Sequence, residues 1–153
     1  MLYRAGYTDR TTIGKWHLGH ARNAYQPLNR GFQYFYGQLN EAIVYSEFTR
    51  EGERDWHENF HPSSDQGYTK DHITQKAIDC ITKFSQADPP FFLQVAYNAP
   101  HSPLQAQEEY LQACGLDANK ARFRKGKGAG NSKRQTYAAM VANMDAGIGD
   151  ILK

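Results

Sequence analysis

Within the stretch IGKWHLGH (residues 13–20), Lys15, Trp16, His17 and His20 stand close together, with Gly14 and Gly19 beside them. Lysine brings a fixed positive charge, and histidine a ring that takes up or releases a proton near neutrality. On an extended backbone, alternate residues share a side. Lys15 and His17 are therefore expected to project together, while Trp16 turns into packing. The glycines allow the backbone to approach a ligand closely or to turn sharply around it. A Lys–His pair of this kind suits a tetrahedral oxyanion, the cation neutralising charge and the ring moving a proton. The same pair on a strand edge can also be merely solvated, so the surrounding chain has to decide.

A third candidate is His101, in YNAPHSP directly after the apolar run FFLQVAYN (91–98). In open α/β sheets, ligands bind beyond the carboxyl ends of strands. Pro100 and Pro103 restrict the backbone on either side of this histidine. HENFH (57–61) matches the H-E-x-x-H pattern of zinc peptidases, which needs both histidines one turn apart on a helix. Pro62 follows His61 directly and disfavours that helix. The reading is therefore a loop holding two histidines, with no metal site. Residues 115–135 carry seven Lys and Arg against one Asp. They form either a lip that attracts an anionic substrate or a solvated loop.

The elements that must hold these residues read as α/β. Residues 1–6 resemble a last helical turn closed by Gly6. TTIGKWH (11–17) has the β-branched content of a strand, and FQYFYG (32–37) reads as a second extended piece. Residues 40–67 are polar and irregular. From Tyr68 to Gln86, the residues Ile73, Ala77, Cys80, Ile81 and Phe84 recur at helical steps, which makes Cys80 a small buried hydrophobe. Asp88-Pro89-Pro90 stops that helix, and residues 91–98 then read as a strand buried on both faces. A short helix over 107–114 ends at Gly115. Tyr137, Met140, Val141, Met144, Ile148 and Ile151 mark a final helix whose apolar stripe faces inward. Alternation of strand and helix implies a layered sheet.

Composition excludes some partners. A net charge of +2 gives no basis for nucleic-acid steering, and no apolar run is long enough to span a bilayer. Two cysteines, Cys80 and Cys114, form no metal-type pair.

AGYTDRTTIGKWHLGH resembles the second signature of type I sulfatases. The resemblance continues, in the family's order, through NRGFQYFYG (29–37), GYTKDHITQKAIDCI (67–81), PFFLQVAYNAPHSPLQAQEEYL (90–111) and YAAMVANMDAGIGDIL (137–152). It implies part of an alkaline-phosphatase-like central sheet flanked by helices, and hydrolysis of aryl or carbohydrate sulfate esters. It also implies a formylglycine nucleophile, a calcium ion, and a periplasmic, secreted or lysosomal setting. By the same resemblance Lys15 binds a sulfate oxygen and helps protonate the leaving group. His17 assists formylglycine as a base, and His101 contacts the sulfate and the bridging oxygen. Donors placed where charge develops on a departing oxygen lower the barrier to its departure.

The departures from that pattern are equally specific. The nucleophile signature C-x-P-S-R or S-x-P-S-R is absent, as are the family's paired aspartates and its later Asp-Asn pair. Residues 1–153 are therefore expected to be an interior part of a catalytic domain, with the calcium ligands and the formylglycine outside them and no turnover of its own. Val44 and Phe48 stand where many relatives carry Asp and His on the substrate side. A phosphatase or phosphodiesterase of the same fold, and an inert anion-binding product, are the alternatives.

Overall fold

The computed structural model describes residues 1–115 and 133–153. The first strand, β1 (Asp9–Lys15), lies between β2 (Tyr34–Gln38) and β7 (Phe91–Ala96) and pairs with both in parallel. Between β2 and β7 the chain makes two small hairpins. One joins β3 (Thr49–Arg50) to β4 (Glu53–Arg54), and the other joins β5 (His57–Glu58) to β6 (His61–Pro62). β5 adds antiparallel to β2, giving a five-stranded mixed sheet in the order β6-β5-β2-β1-β7. Three helices complete the described chain: α1 (Thr69–Phe84), α2 (Glu108–Ala113) and α3 (Lys133–Ile151).

Alternation along the strands sorts side chains between the two faces of the sheet. Ile13 and its register partner Tyr36 enter the main core with Ile73, Ala77, Cys80 and Phe84 of α1. Phe35 points the other way and meets Trp16 and Leu39. Ile13 and Ile73 are fully buried, and removal of such a side chain from water is worth about 2 kcal/mol. The stripe on α1 falls where helical periodicity puts it, with Ile81 only half-buried. Cys80 is a buried thiol whose pKa is raised, chiefly by burial.

Several boundaries and faces differ from the sequence reading. Residues 1–6 do close on Gly6, but as a 3-10 turn over Tyr3–Ala5. β1 runs from Asp9 and stops at Lys15, so Trp16 and His17 lie beyond it. β7 stands at the edge of the sheet with half-exposed side chains, whereas its apolar run suggested burial on both faces. α3 begins at Lys133 and buries Thr136, Ala139, Met140, Asn143 and Gly147. Tyr137 and Ile148, expected on its inner stripe, are exposed. The reason is close helix packing. A Cβ on Gly147 would stand 2.6 Å from Thr74 Oγ1 and 2.9 Å from the Tyr97 hydroxyl, so small residues turn this face inward against α1.

HENFH forms a hairpin in which Glu58 sits opposite His61, so the two histidines share no helical face. Most of the basic stretch 115–135 lies outside the described residues. No described helix is long and apolar enough to cross a membrane.

Candidate functional site

Lys15 and His101 lie at or just past the carboxyl ends of β1 and β7, on either side, along the chain, of residues that follow β2. Gly14 allows the strands to lie close. Its φ is +100°, and a Cβ there would lie 2.0 Å from the carbonyl oxygen of Ala96 on β7. Its register partner on β2, Gly37, would place a Cβ 2.1 Å from the Gly14 oxygen. No side chain fits at either position, and the three backbones pack in direct contact.

Lys15 ends β1 opposite Gln38, the last residue of β2. Burial lowers the pKa of its ammonium group, with Glu41 opposing that effect. The fully buried Gln38 donates through Nε2 to Asn98 Oδ1 at 3.2 Å, just past β7. The carbonyl of Asn98 in turn accepts the His101 N–H at 3.0 Å. One line of side chains and backbone thus links the end of β1 to the loop that carries His101. Among the described residues, Gln38 Oε1 and Asn98 Nδ2 have no hydrogen-bond partner in this buried place.

The ring of His101 is held by Nδ1 at 2.7 Å from the Ser102 carbonyl. A carbonyl only accepts, so Nδ1 carries the hydrogen and Nε2 is the nitrogen open to a ligand. The Tyr45 hydroxyl donates to the His101 carbonyl at 2.9 Å and fixes the loop from below.

His17 is reached differently from the sequence expectation. Trp16 and His17 leave the strand, their N–H groups bonding to the carbonyls of Gln38 and Leu39 at 2.9 and 3.1 Å. His17 adopts φ +49° in the left-handed region, a conformation that histidine tolerates better than most residues. Its position therefore comes from a turn rather than from strand alternation. Trp16 packs as expected, against Phe35 and Leu39, and its Nε1 donates to the Tyr25 carbonyl at 2.9 Å.

Sequence reasoning missed Glu41. Its carboxylate pairs with Arg50, and its Oε2 lies 3.9 Å from His17 Nε2. The carboxyl pKa is held below the ordinary range, first by the residue's own backbone N–H and, against some desolvation, by the charges of Arg50, His17 and His101. Glu41 thus feels two of the three sequence candidates, and Lys15 feels Glu41. Glu41, Arg50 and His101 line an open cavity of about 690 Å³, together with Lys133 and Tyr137 of α3. Lys15 and His17 are not among its lining residues.

Asp55 was also missed. Buried itself, it accepts the backbone N–H groups of Leu39 at 3.0 Å and Asn40 at 2.9 Å and so sets the turn that leads into Glu41. Nothing local in LNEAIV or ERDWHE points to these pairings, because each partner lies on a different loop. Phe48 is buried against Trp56 with ring centroids 5.0 Å apart, so it serves the core and lines no part of the cavity.

Calcium does not fit the described residues, in which no three His, Cys, Asp or Glu side chains gather to hold a metal ion. Neither cysteine sits in a nucleophile signature, and Cys80 lines a separate cavity with Asp9 and Arg10 at the opposite end of β1.

Comparison with known proteins gives one consistent result. A family model described as Sulfatase matches residues 1–153. Arylsulfatase J of Mus musculus is 31% identical over 158 residues, covering 98% of this chain and 24% of its own length. N-acetylgalactosamine-6-sulfatase of Mus musculus is 30% identical over 166 residues, covering 99% of this chain and 28% of its own. Among solved structures, Ps i-CgsB in complex with k-i-k-neocarrahexaose aligns with a TM-score of 0.78 at 29% identity, covering 99% of this chain and 34% of that one. The chain spans about a quarter of the length of the two curated relatives.

Proposed function

This chain belongs to the sulfatase family, and on that premise we propose that residues 1–153 supply the sulfate-gripping part of a catalytic domain that hydrolyses sulfate esters. The observation that supports the reading is that Arg50 and His101 line one cavity beside Glu41, whose carboxylate pairs with Arg50 and lies 3.9 Å from His17, while Lys15 ends the neighbouring strand β1. The substrate inferred is an aryl or carbohydrate sulfate.

In this reading Lys15 binds a sulfate oxygen. Its burial-lowered pKa also makes it a better proton donor to a departing alkoxide or phenoxide than an ordinary lysine. His101 offers Nε2 to the sulfate and the bridging oxygen, its other nitrogen being engaged by Ser102. His17, held in its turn by Leu39, brings its ring to 3.9 Å from Glu41 beside the cavity, as a side chain suited to base work. Together these groups form a preorganised set of donors aimed at developing negative charge. Calcium and a formylglycine nucleophile would come from outside residues 1–153, and the described side chains do the binding, orienting and proton transfer.

Inorganic sulfate titrated into the purified chain tests this, with the histidine ring resonances as the readout. Saturable shifts of the His101 ring, competed by 4-nitrophenyl sulfate and weakened about tenfold or more in Lys15→Ala, are expected; a tenfold loss corresponds to 1.4 kcal/mol. Identical behaviour with chloride, or an unaffected Lys15→Ala, rules the reading out.

A further inference from the structure

Among the described residues, Glu41 is the one carboxylate lining the cavity, and it pairs with Arg50. Its Oε1 pairs with Arg50, while its Oε2 turns toward His17 at 3.9 Å. Its side chain is about one-third exposed, so solvent and solutes reach it. Arg50 has a second partner in Glu51 at 3.1 Å, a residue that is 79% exposed and outside the cavity lining. The arrangement is odd for a site that receives an anion, because a negative group aimed into such a site repels the ligand.

We propose that Glu41 is an internal counter-anion: its carboxylate, paired with Arg50 on the wall it shares with His101 and turned toward His17, occupies the place that an incoming sulfate takes, and it gives up that place while keeping its Arg50 pair when sulfate enters. The proposal rests on the sulfate-site reading above and adds a positioning residue to it. Close cations without a counter-charge repel one another and shed protons. A carboxylate beside Arg50 and His17 offsets that charge while the site is empty. A sulfate group brings more acceptor oxygens than one carboxylate, so it displaces Glu41 instead of binding beside it. The Arg50 pair already made by Oε1 persists as Oε2 gives way, which limits the cost of the movement. Selectivity follows as well. A planar carboxylate ligand offers no more acceptor oxygens than Glu41 and gains little, whereas a sulfate group, with at least three oxygens around sulfur, gains more.

The test is equilibrium binding of inorganic sulfate at fixed ionic strength to the unmodified chain, to Glu41→Gln and to Glu51→Gln, followed through the rings of His17 and His101. Removal of the competing charge in Glu41→Gln is expected to tighten sulfate binding by roughly five- to tenfold. Glu51→Gln, which relieves Arg50 but leaves the cavity wall unchanged, is expected to leave the affinity within about twofold. A residue that only props up its loop behaves oppositely, since its loss weakens binding. Unchanged or weaker binding in Glu41→Gln, with Lys15→Ala still weakening it, overturns the counter-anion and leaves the sulfate site standing. Equal tightening in both glutamine variants also overturns it, because general charge then explains the effect. Absence of sulfate binding in all variants sinks the sulfate site itself, and the counter-anion with it.

Discussion

His57 Nε2 stands 3.2 Å from Asp55 Oδ1, and the same carboxylate accepts the N–H groups of Leu39 and Asn40. The end of β2, the turn into Glu41 and the start of β5 are therefore tied at one buried charge. A buried carboxylate with three donors is expensive to disturb, because loss of any partner leaves others unpaired.

Burial alone would raise the pKa of the Asp55 carboxyl. The His57 ring and then the N–H groups of Leu39 and Asn40 outweigh that effect and leave it below the ordinary carboxylate value. A group with a depressed folded-state pKa binds fewer protons in the folded chain than in the unfolded one. Its stabilisation is therefore complete above the unfolded value of about 3.9 and is lost as pH falls through the folded value. Asp55→Asn is expected to cost about 3 kcal/mol at pH 7, with the gap from the unmodified chain narrowing below about pH 4. Denaturant melts at pH 7, 5, 4 and 3 measure this, and a gap that stays constant across the series refutes it.

Gly14 tolerates no side chain. A Cβ 2.0 Å from the Ala96 oxygen demands that two adjacent parallel strands separate. Gly14→Ala is expected to destabilise by about 3 kcal/mol or more, seen as lost cooperativity in a thermal melt. A near-normal melt for Gly14→Ala contradicts the packing described for β1 and β7.

Two glycines of α3 make a matched pair. Alanine favours helix over glycine by about 1 kcal/mol. Gly149 has open space where a Cβ would go, so Gly149→Ala is expected to raise stability by up to about that amount. At Gly147 the new methyl meets Thr74, Tyr97 and Lys70. Overpacking there should outweigh the helix gain and cost about 1–3 kcal/mol. Chemical denaturation of both variants decides, and equal signs for the two changes would count against the α1–α3 contact.

The two histidines of HENFH should also diverge. His57 is engaged by Asp55, whereas His61 is exposed at the end of the hairpin. His57→Ala is expected to lose about 1–2 kcal/mol, and His61→Ala less than about 0.5. Added zinc should leave the melting temperature of the unmodified chain where it is. A zinc-dependent rise that disappears in His61→Ala would restore the metal reading.

What the sequence disclosed follows from how local each signal is. The stripe on α1 was readable because Ile73, Ala77, Cys80 and Phe84 repeat within one helix and all face one core. Lys15, His17 and His101 could be singled out by type and by their place beside strands. The turn that carries His17 was hidden, since its hydrogen-bond partners Gln38 and Leu39 belong to another strand end. Glu41, Arg50 and Asp55 were invisible for the same reason: each gains meaning only from a partner on a separate loop. The inner face of α3 was read rightly at Met140 but not at Asn143, which is held by a hydrogen bond to Gln107, or at Gly147, which is buried by close approach to Thr74 and Tyr97. A hydropathy pattern records no distance between helices.

Lys15, Glu41 and His101 each follow the carboxyl end of a different parallel strand, while Gly14, Gly37 and Ala96 lock those strands backbone to backbone. Scaffold and chemistry are thereby inherited separately. The loop carrying Glu41 and Arg50 could be exchanged for another, and ligand preference retuned, without reopening the seam beneath it. The seam itself leaves almost no room for mutational drift, so innovation in this fold is confined to its rim.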